Sequence, residues 1–312
     1  MSEVKQSNLK VLGRDEIYNE ATNYLKKGGE PGLKLGFSCL DEYYTHKSNG
    51  VTDWTGFPGS GKTFFCLEIL FNLSEKYGAR HGLFVPDIGS DREIIAKLVK
   101  MYNGKDFHDR FNNKITDLEL SHALNWIGHH FVIFKKKDFK TGILPVEFWE
   151  TICGYKDDGG VLNTGLIDSW KNMKHLYSGR EDLYLDEVLS TRNELAEQNN
   201  KHFHTIAHAV KTTQDQSGKR QIPTASDIKG GGSWNANGKN IVSVDFPDKT
   251  HNRVDLYICK VKPEDVGRQG SIIDKLFLDK KRGRYYEKIA PFDYYAFEHE
   301  KGFKVLENEQ LF

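Results

Sequence analysis

Residues 50–77, GVTDWTGFPGSGKTFFCLEILFNLSEKY, decide the architecture. The stretch begins as a short β-prone run, narrows into a glycine-rich turn and leaves it as an apolar pattern at helical spacing. Inside it GFPGSGKT, from Gly56 to Thr63, matches G-x-x-x-x-G-K-[ST] at every fixed position. That order has a mechanism. Gly56, Gly59 and Gly61, with Pro58 and Ser60 between them, let the backbone close around phosphate oxygens, and the following helix turns its free N–H groups and positive end toward the anion. Lys62 then reaches the outer phosphates and Thr63 offers a hydroxyl to Mg²⁺, so ATP with Mg²⁺ is expected. An accidental glycine turn before a helix is the plain alternative, and the strand-turn-helix setting weighs against it.

Outward from this stretch, strands are expected at 82–86, 130–135, 163–170 and 202–210, with helical patterns at 91–102, 116–128, 144–155 and 181–199 between them. Such alternation predicts an α/β fold with a mostly parallel central sheet and helices on both faces. The last third changes character. Runs at 240–246, 253–262 and 272–279 separated by short turns predict an antiparallel C-terminal extension of the same sheet. Residues 1–30 read as a polar linker with one short helix, in which Ile17, Ala21, Tyr24 and Leu25 recur at helical spacing. A helix that small buries little alone, so it is expected to dock on this domain, residues 31–312, or on a neighbouring subunit.

Lys+Arg and Asp+Glu are both 44, so net charge alone selects neither a nucleic-acid nor a membrane partner, and any basic site must be local. Cys39, Cys66, Cys153 and Cys259 stand far apart with no C-x-x-C spacing, which argues against a zinc module or a disulfide framework and for reduced thiols. The first residues have no apolar signal-peptide core, and no stretch is long and apolar enough to span a bilayer. A cytoplasmic location and no membrane partner are the expectations.

The metal-binding acid should end a buried strand beside the cradle, and Asp168, closing the run TGLID, fits that place; a strand-ending Asp that merely caps the next turn is the bland alternative. Asp87, just past the strand that follows the cradle's helix, stands on the edge where ligands collect in open α/β sheets. It is a candidate for orienting the attacking water, against an equally simple role as a loop-capping Asp. The stretch HAVKTTQDQSGKRQIPTASDIKGGGSW, 208–234, is too polar for a core and too long for an ordinary connector. Lys211, Lys219, Arg220 and Lys229 punctuate it, and Gly230, Gly231 and Gly232 are expected to give it mobility, as in an arm following a phosphate backbone. A solvated disordered loop is the competing account. Just beyond, Lys239 extends the basic set, and Trp234 is expected to pack at the base of the loop. DKKRGRYYE, 279–287, suggests a hairpin turn, with Tyr285 as a platform for the adenine.

Taken in order, these motifs resemble the RecA-like motor domain of hexameric replicative helicases of the DnaB and Twinkle type, phage-encoded versions included. The resemblance runs from about Leu35 to Tyr286 through LGFSCLDEYYTHKSNGVTDWTGFPGSGKT, GLIDSW, IAHAVK, SDIKGGGSWNANGKNIVSV and DLYICKVKPEDVGRQG. It implies a RecA-like P-loop ATPase core, a homo-hexameric ring, ATP held between subunits, 5′ to 3′ translocation on single-stranded DNA, a bacterial or phage-infected cell, and a separate primase or loader. By the same resemblance Asp87 stands where the family has a glutamate, and His208 is the γ-phosphate sensor. Lys260 and Lys262 take the places of a Lys-x-Arg pair that reaches the neighbour's ATP, with Arg268 as the competing finger. Two departures matter: aspartate is one methylene shorter than glutamate, and lysine lacks the planar fork of arginine. They keep open a slow nucleotide-gated DNA-binding or loading module, beside a recombinase-like filament ATPase.

Overall fold

The structure, a computed structural model, describes residues 11–27, 29, 31–108, 113–137, 141–177, 179–210, 221–248 and 250–298, with only the backbone of Lys27 and Asp248. In chain order the elements are α1 (Arg14–Lys27), α2 (Ser38–Asp41), β1 (Val51–Thr55), α3 (Lys62–Tyr77), β2 (His81–Phe84), α4 (Asp91–Asn103), α5 (Asp117–His130), β3 (Phe131–Ile133) and α6 (Pro145–Gly154). A small hairpin, β4 (Lys156–Asp157) and β5 (Gly160–Val161), precedes β6 (Thr164–Asp168), α7 (Glu181–Asn199) and β7 (His202–Ile206). The chain ends with α8 (Gly231–Asn237), β8 (Asn240–Asp248), β9 (Arg253–Lys260), β10 (Ile272–Asp279), β11 (Arg284–Ile289) and β12 (Phe292–Tyr295).

One 10-stranded sheet is ordered β12-β11-β10-β9-β8-β1-β7-β6-β2-β3. Strands from β8 to β3 in that order pair in parallel, and β9 to β12 continue antiparallel. Every expected strand is present, but β8, read as the start of the antiparallel part, pairs in parallel with β1. The reason is α8, a helical crossover that returns the chain to the starting edge of the sheet, where the residues had suggested only a mobile loop. Successive side chains of the parallel strands split between two layers. Trp54, Leu83, Leu166 and Ile206 pack under α3, α4 and α5, while Val51, Phe84, Ile167 and Phe203 pack under α6 and α7. The strands are therefore buried on both faces, as parallel strands require.

Helix α3 is buried almost all round, even at Glu68 and Asn72, because the antiparallel extension curls over its outer side. From β11, Arg284 donates through Nε to Glu68 at 2.9 Å and through Nη2 to Asn72 Oδ1 at 2.7 Å. Burial pushes the Glu68 carboxyl up, and the guanidinium opposes it. Arg284→Ala leaves that buried carboxylate without its partner and should cost about 3–5 kcal/mol. Urea unfolding would register it, and a loss within about half a kcal/mol, the ordinary range for a surface change, would refute the pairing.

A second polar feature sits within the sheet. His46 stacks on His202 at 4.0 Å between centroids, and His202 lies 4.5 Å from His204, all three buried. Trp54 Nε1 donates to His204 Nδ1 at 3.1 Å, so His204 carries its proton on Nε2, 3.2 Å from His46 Nε2. His202 Nδ1 donates to the Lys47 carbonyl at 2.5 Å, and its Nε2 accepts from Thr52 at 2.8 Å. Nitrogens of the three rings lie within 4.8 Å of one another, a spacing that suits a metal. A metal on His204 Nε2 would require the proton on Nδ1, where the Trp54 N–H already points. The fixed donors thus define a stack of neutral imidazoles. Helix α1 differs from the core altogether: Ile17, Tyr24 and Leu25 are exposed, the last at 85%, so it does not dock on the domain of its own chain. No helix among the described residues is long and apolar enough to cross a membrane.

Candidate functional site

The parallel strands β1, β7, β6 and β2 end at one edge of the sheet, and the sequence-derived candidates gather there. At Gly56 φ is 137°, and a Cβ built on it would lie 2.2 Å from the carbonyl oxygen of Val244 in β8, so only glycine lets the loop leave β1 at this angle. Gly61, at φ 84°, starts α3 in the left-handed region. Lys62 Nζ donates to the carbonyls of Gly56 at 3.1 Å and Phe57 at 2.6 Å. Burial pulls its pKa down to about 8, against the opposing charges of Asp168 and Asp87.

Thr63 Oγ1 donates to Asp168 Oδ2 at 2.6 Å, across from the first turn of α3 to the end of β6. Burial pushes the Asp168 carboxyl up to about 6, partly offset by the Thr63 hydrogen bond. Asp168 Oδ1 and Ser60 Oγ are buried with no hydrogen-bond partner. Two orphaned oxygens beside a threonine hydroxyl form an all-oxygen donor set, which fits a hard cation such as Mg²⁺.

Asp87 lies in a short turn of 3-10 helix after β2. Its Oδ2 accepts from Ser169 Oγ at 2.8 Å and sits 3.2 Å from Lys171 Nζ and 3.4 Å from His208 Nε2; its Oδ1 accepts from Asn172 Nδ2 at 2.5 Å. Burial alone would raise this carboxyl, but hydrogen bonds from Asn172, Ser169, Lys171 and His208 hold it down at about 2. His208, at the end of β7, follows Ala207, whose N–H donates to Trp54 at 2.9 Å, and precedes Ala209, whose N–H donates to Gly56 at 3.4 Å. The candidate sensor is thus attached to the cradle by backbone on both sides. Burial lowers its pKa, and the nearby Lys62 charge adds to that.

The structure separates the remaining candidates. Lys262 and Arg268 lie on the loop from β9 to β10, at the opposite edge of the sheet: β9 ends at Lys260, paired with Ile241, whereas the cradle lies beside Val244. The four residues from Thr52 to Gly56 alone span about 13 Å, so neither side chain shares an edge with its own cradle. Lys260 donates to the Asn235 carbonyl, and Arg268 lies 3.8 Å from Glu42. Lys239 joins Lys262 at that far edge, in a cavity of about 200 Å³, away from Lys229. Lys211, Lys219 and Arg220 lie outside the described residues.

Two expectations are corrected. Tyr285 is 1% exposed and meets Phe65 edge-on at 5.1 Å, so it offers no face to a base; β11 turns it inward against α3. Gly230 and Gly231 do not serve as free hinges. Gly230 caps α8 at φ 76°, and a Cβ on Gly231 would meet the Ser226 carbonyl at 2.6 Å, so close packing demands them. Lys229, directly before them, is exposed and paired with Glu181 at 2.9 Å, and Trp234 is fully buried as expected. Ser169, Lys171 and Asn172 escaped sequence reading, though all follow Asp168 within DSWKN; their role appears only when β2 and β6 bring Asp87 beside them. A groove of about 470 Å³ flanks the cradle, bordered by Pro58, Asp245, Phe246 and Arg253.

No family model matches the chain, and no curated protein matches it. Solved structures do match in fold. The ATPase domain of a phage helicase superposes with a TM-score of 0.70 at 17% identity, covering 90% of this chain and 100% of that one. A DnaB-like replicative helicase, described together with its interactions with primase, superposes at 0.68 and 17% identity, covering 88% of this chain and 67% of that one. The chain has the RecA-like fold of these ATPase domains.

Proposed function

We infer that the chain is the ATP-hydrolysing motor of a ring-forming replicative DNA helicase that moves 5′ to 3′ on single-stranded DNA. The observation that carries it is the convergence of Lys62, Thr63, Asp168, Asp87 and His208 at one edge of the RecA-like sheet. ATP binds with its phosphates in the cradle, Lys62 neutralises charge at the outer phosphates, and the flanking groove at Phe246 and Arg253 takes the nucleoside in place of Tyr285. Mg²⁺, held through Thr63 and Asp168, supplies charge to the developing transition state. Asp87 orients the attacking water, and His208 passes the state of the site to the segment 211–220 and to Lys229.

A ring follows from two features. Lys262 and Arg268 sit where they can serve only a neighbour's phosphates, and the uncovered apolar face of α1 suits docking on another subunit. A separate primase or loader would be the natural partner, in keeping with the primase interactions described for the DnaB-like helicase.

Unwinding of a forked duplex tests the proposal. A substrate with a free 5′ tail should be opened in the presence of ATP and Mg²⁺, and its 3′-tailed counterpart should not. Opening of neither fork, with ATP turnover intact, would sink the motor reading. The slow nucleotide-gated DNA-binding module retains one supporting observation, the four side chains that hold Asp87.

A further inference from the structure

Asp87 is the best-solvated of the candidate acids and the one whose oxygens are most fully engaged. A carboxylate that orients water must present a lone pair to it, and its basicity should lie near the working pH. Here both oxygens are occupied: Asn172 takes Oδ1, while Ser169, Lys171 and His208 crowd Oδ2. Held so, the group is a weak base with no free face toward the cradle.

We propose that Asn172 and Ser169 are positioning residues that latch Asp87 away from the attacking water, and that ATP turnover requires this latch to open. The inference rests on the motor reading above and adds the step that gates its hydrolysis. The two residues need not touch substrate; they act through Asp87.

The position of the latch suggests what opens it. Asn172 and Lys171 follow Trp170, whose ring stacks on Trp149 at 6.3 Å and meets Trp234 edge-on at 5.2 Å. Trp234 lies in α8, which begins at Gly230 immediately after Lys229, and its Nε1 donates to the Lys229 carbonyl at 3.1 Å. His208, the remaining partner, leads directly into 211–220. Both ends of the candidate DNA segment therefore reach side chains that hold Asp87. A polynucleotide that shifts this segment would shift the Trp170 loop and His208 together, and free the carboxylate when DNA is engaged.

Steady-state ATPase assays on the full chain, with and without single-stranded DNA, test this in wild type, Asn172→Ala, Ser169→Ala and Asn172→Ala combined with Asp87→Ala. Loss of one hydrogen bond to a charged group should raise the DNA-free kcat of Asn172→Ala about tenfold. The KM for ATP should stay unchanged and the DNA stimulation ratio should fall by the same factor. Ser169→Ala should move in the same direction, and removing Asp87 should erase the gain. A merely structural role would lower kcat, or move KM, without an Asp87-dependent gain. With an active wild type, an unchanged or lower DNA-free kcat in both single variants overturns the latch. An inactive wild type with an active Asn172→Ala supports it; inactivity of both overturns the latch and the motor reading together. Normal gating of ATPase by DNA without fork unwinding would remove the helicase and leave the latch standing.

Discussion

Lys62→Ala should abolish ATP turnover, lowering kcat by about 10²–10³ through loss of the group that meets charge developing on the transferred phosphoryl. Fork unwinding should vanish with it. The geometry makes this a specific rather than a structural lesion. The ammonium is largely buried, and its two contacts are carbonyls of the same loop, Gly56 and Phe57, so the cradle's backbone does not depend on a partner elsewhere in the fold. Burial already pulls its pKa down to about 8, which means the folded protein strains to keep a charge there; removing it should leave the thermal midpoint unchanged or raise it. Lys62→Arg should not restore activity, because a planar fork cannot occupy the space of a compact ammonium. ATP-dependent unwinding by a correctly folded Lys62→Ala protein would remove the site assignment altogether.

Acid should unfold the protein well above the pH at which carboxylates titrate. His46, His81, His202 and His204 are all fully or almost fully buried, and burial is the main cause of their depressed pKa values, to about 3 in His81 and about 4 in His202. The neighbouring charges act in the same direction: His130 on His81, Arg192 and Lys239 on His202, and the histidines on one another. A group with a depressed folded pKa contributes fully above its unfolded value, near 6.5, and that contribution is lost as pH falls toward the folded value. One pH unit below the unfolded value each imidazole costs about 1.4 kcal/mol, so the set should remove about 5 kcal/mol by pH 5.5. That is comparable to the whole stability of an ordinary domain. Urea unfolding between pH 7.5 and 5 should show the loss, and His81→Asn should shallow the slope by about one proton. A flat profile over that range would mean the imidazoles are not held neutral.

How much of this was legible in residues 1–312 differs from element to element. The cradle was plain, since its chemistry is carried by glycines, a lysine and a threonine at fixed spacing within one turn. The strands under α6 and α7 were plain too, because runs such as TGLID are apolar on both faces. Tyr285 misled because RGRYYE looks like a turn followed by an exposed strand, whereas α3 draws that strand's face inward through Arg284 and Glu68. The glycines after Lys229 misled for a related reason. Composition equates a glycine run with mobility, but here contact with Ser226 and Leu185 demands the missing side chains.

The sequence by itself determined the phosphate cradle, the acid that follows β6, the alternation of strands and helices and the basic character of 208–234, because each depends on neighbours a few residues away. Only the tertiary structure decided that β8 runs parallel, that Lys262 and Arg268 face away from their own cradle, that the imidazoles of His46, His202 and His204 share one stack, and that Asn172 closes on Asp87. The physical reason is distance along the chain. Asp87 and Asn172 are 85 residues apart, and no local propensity encodes a hydrogen bond that exists only once β2 and β6 have paired.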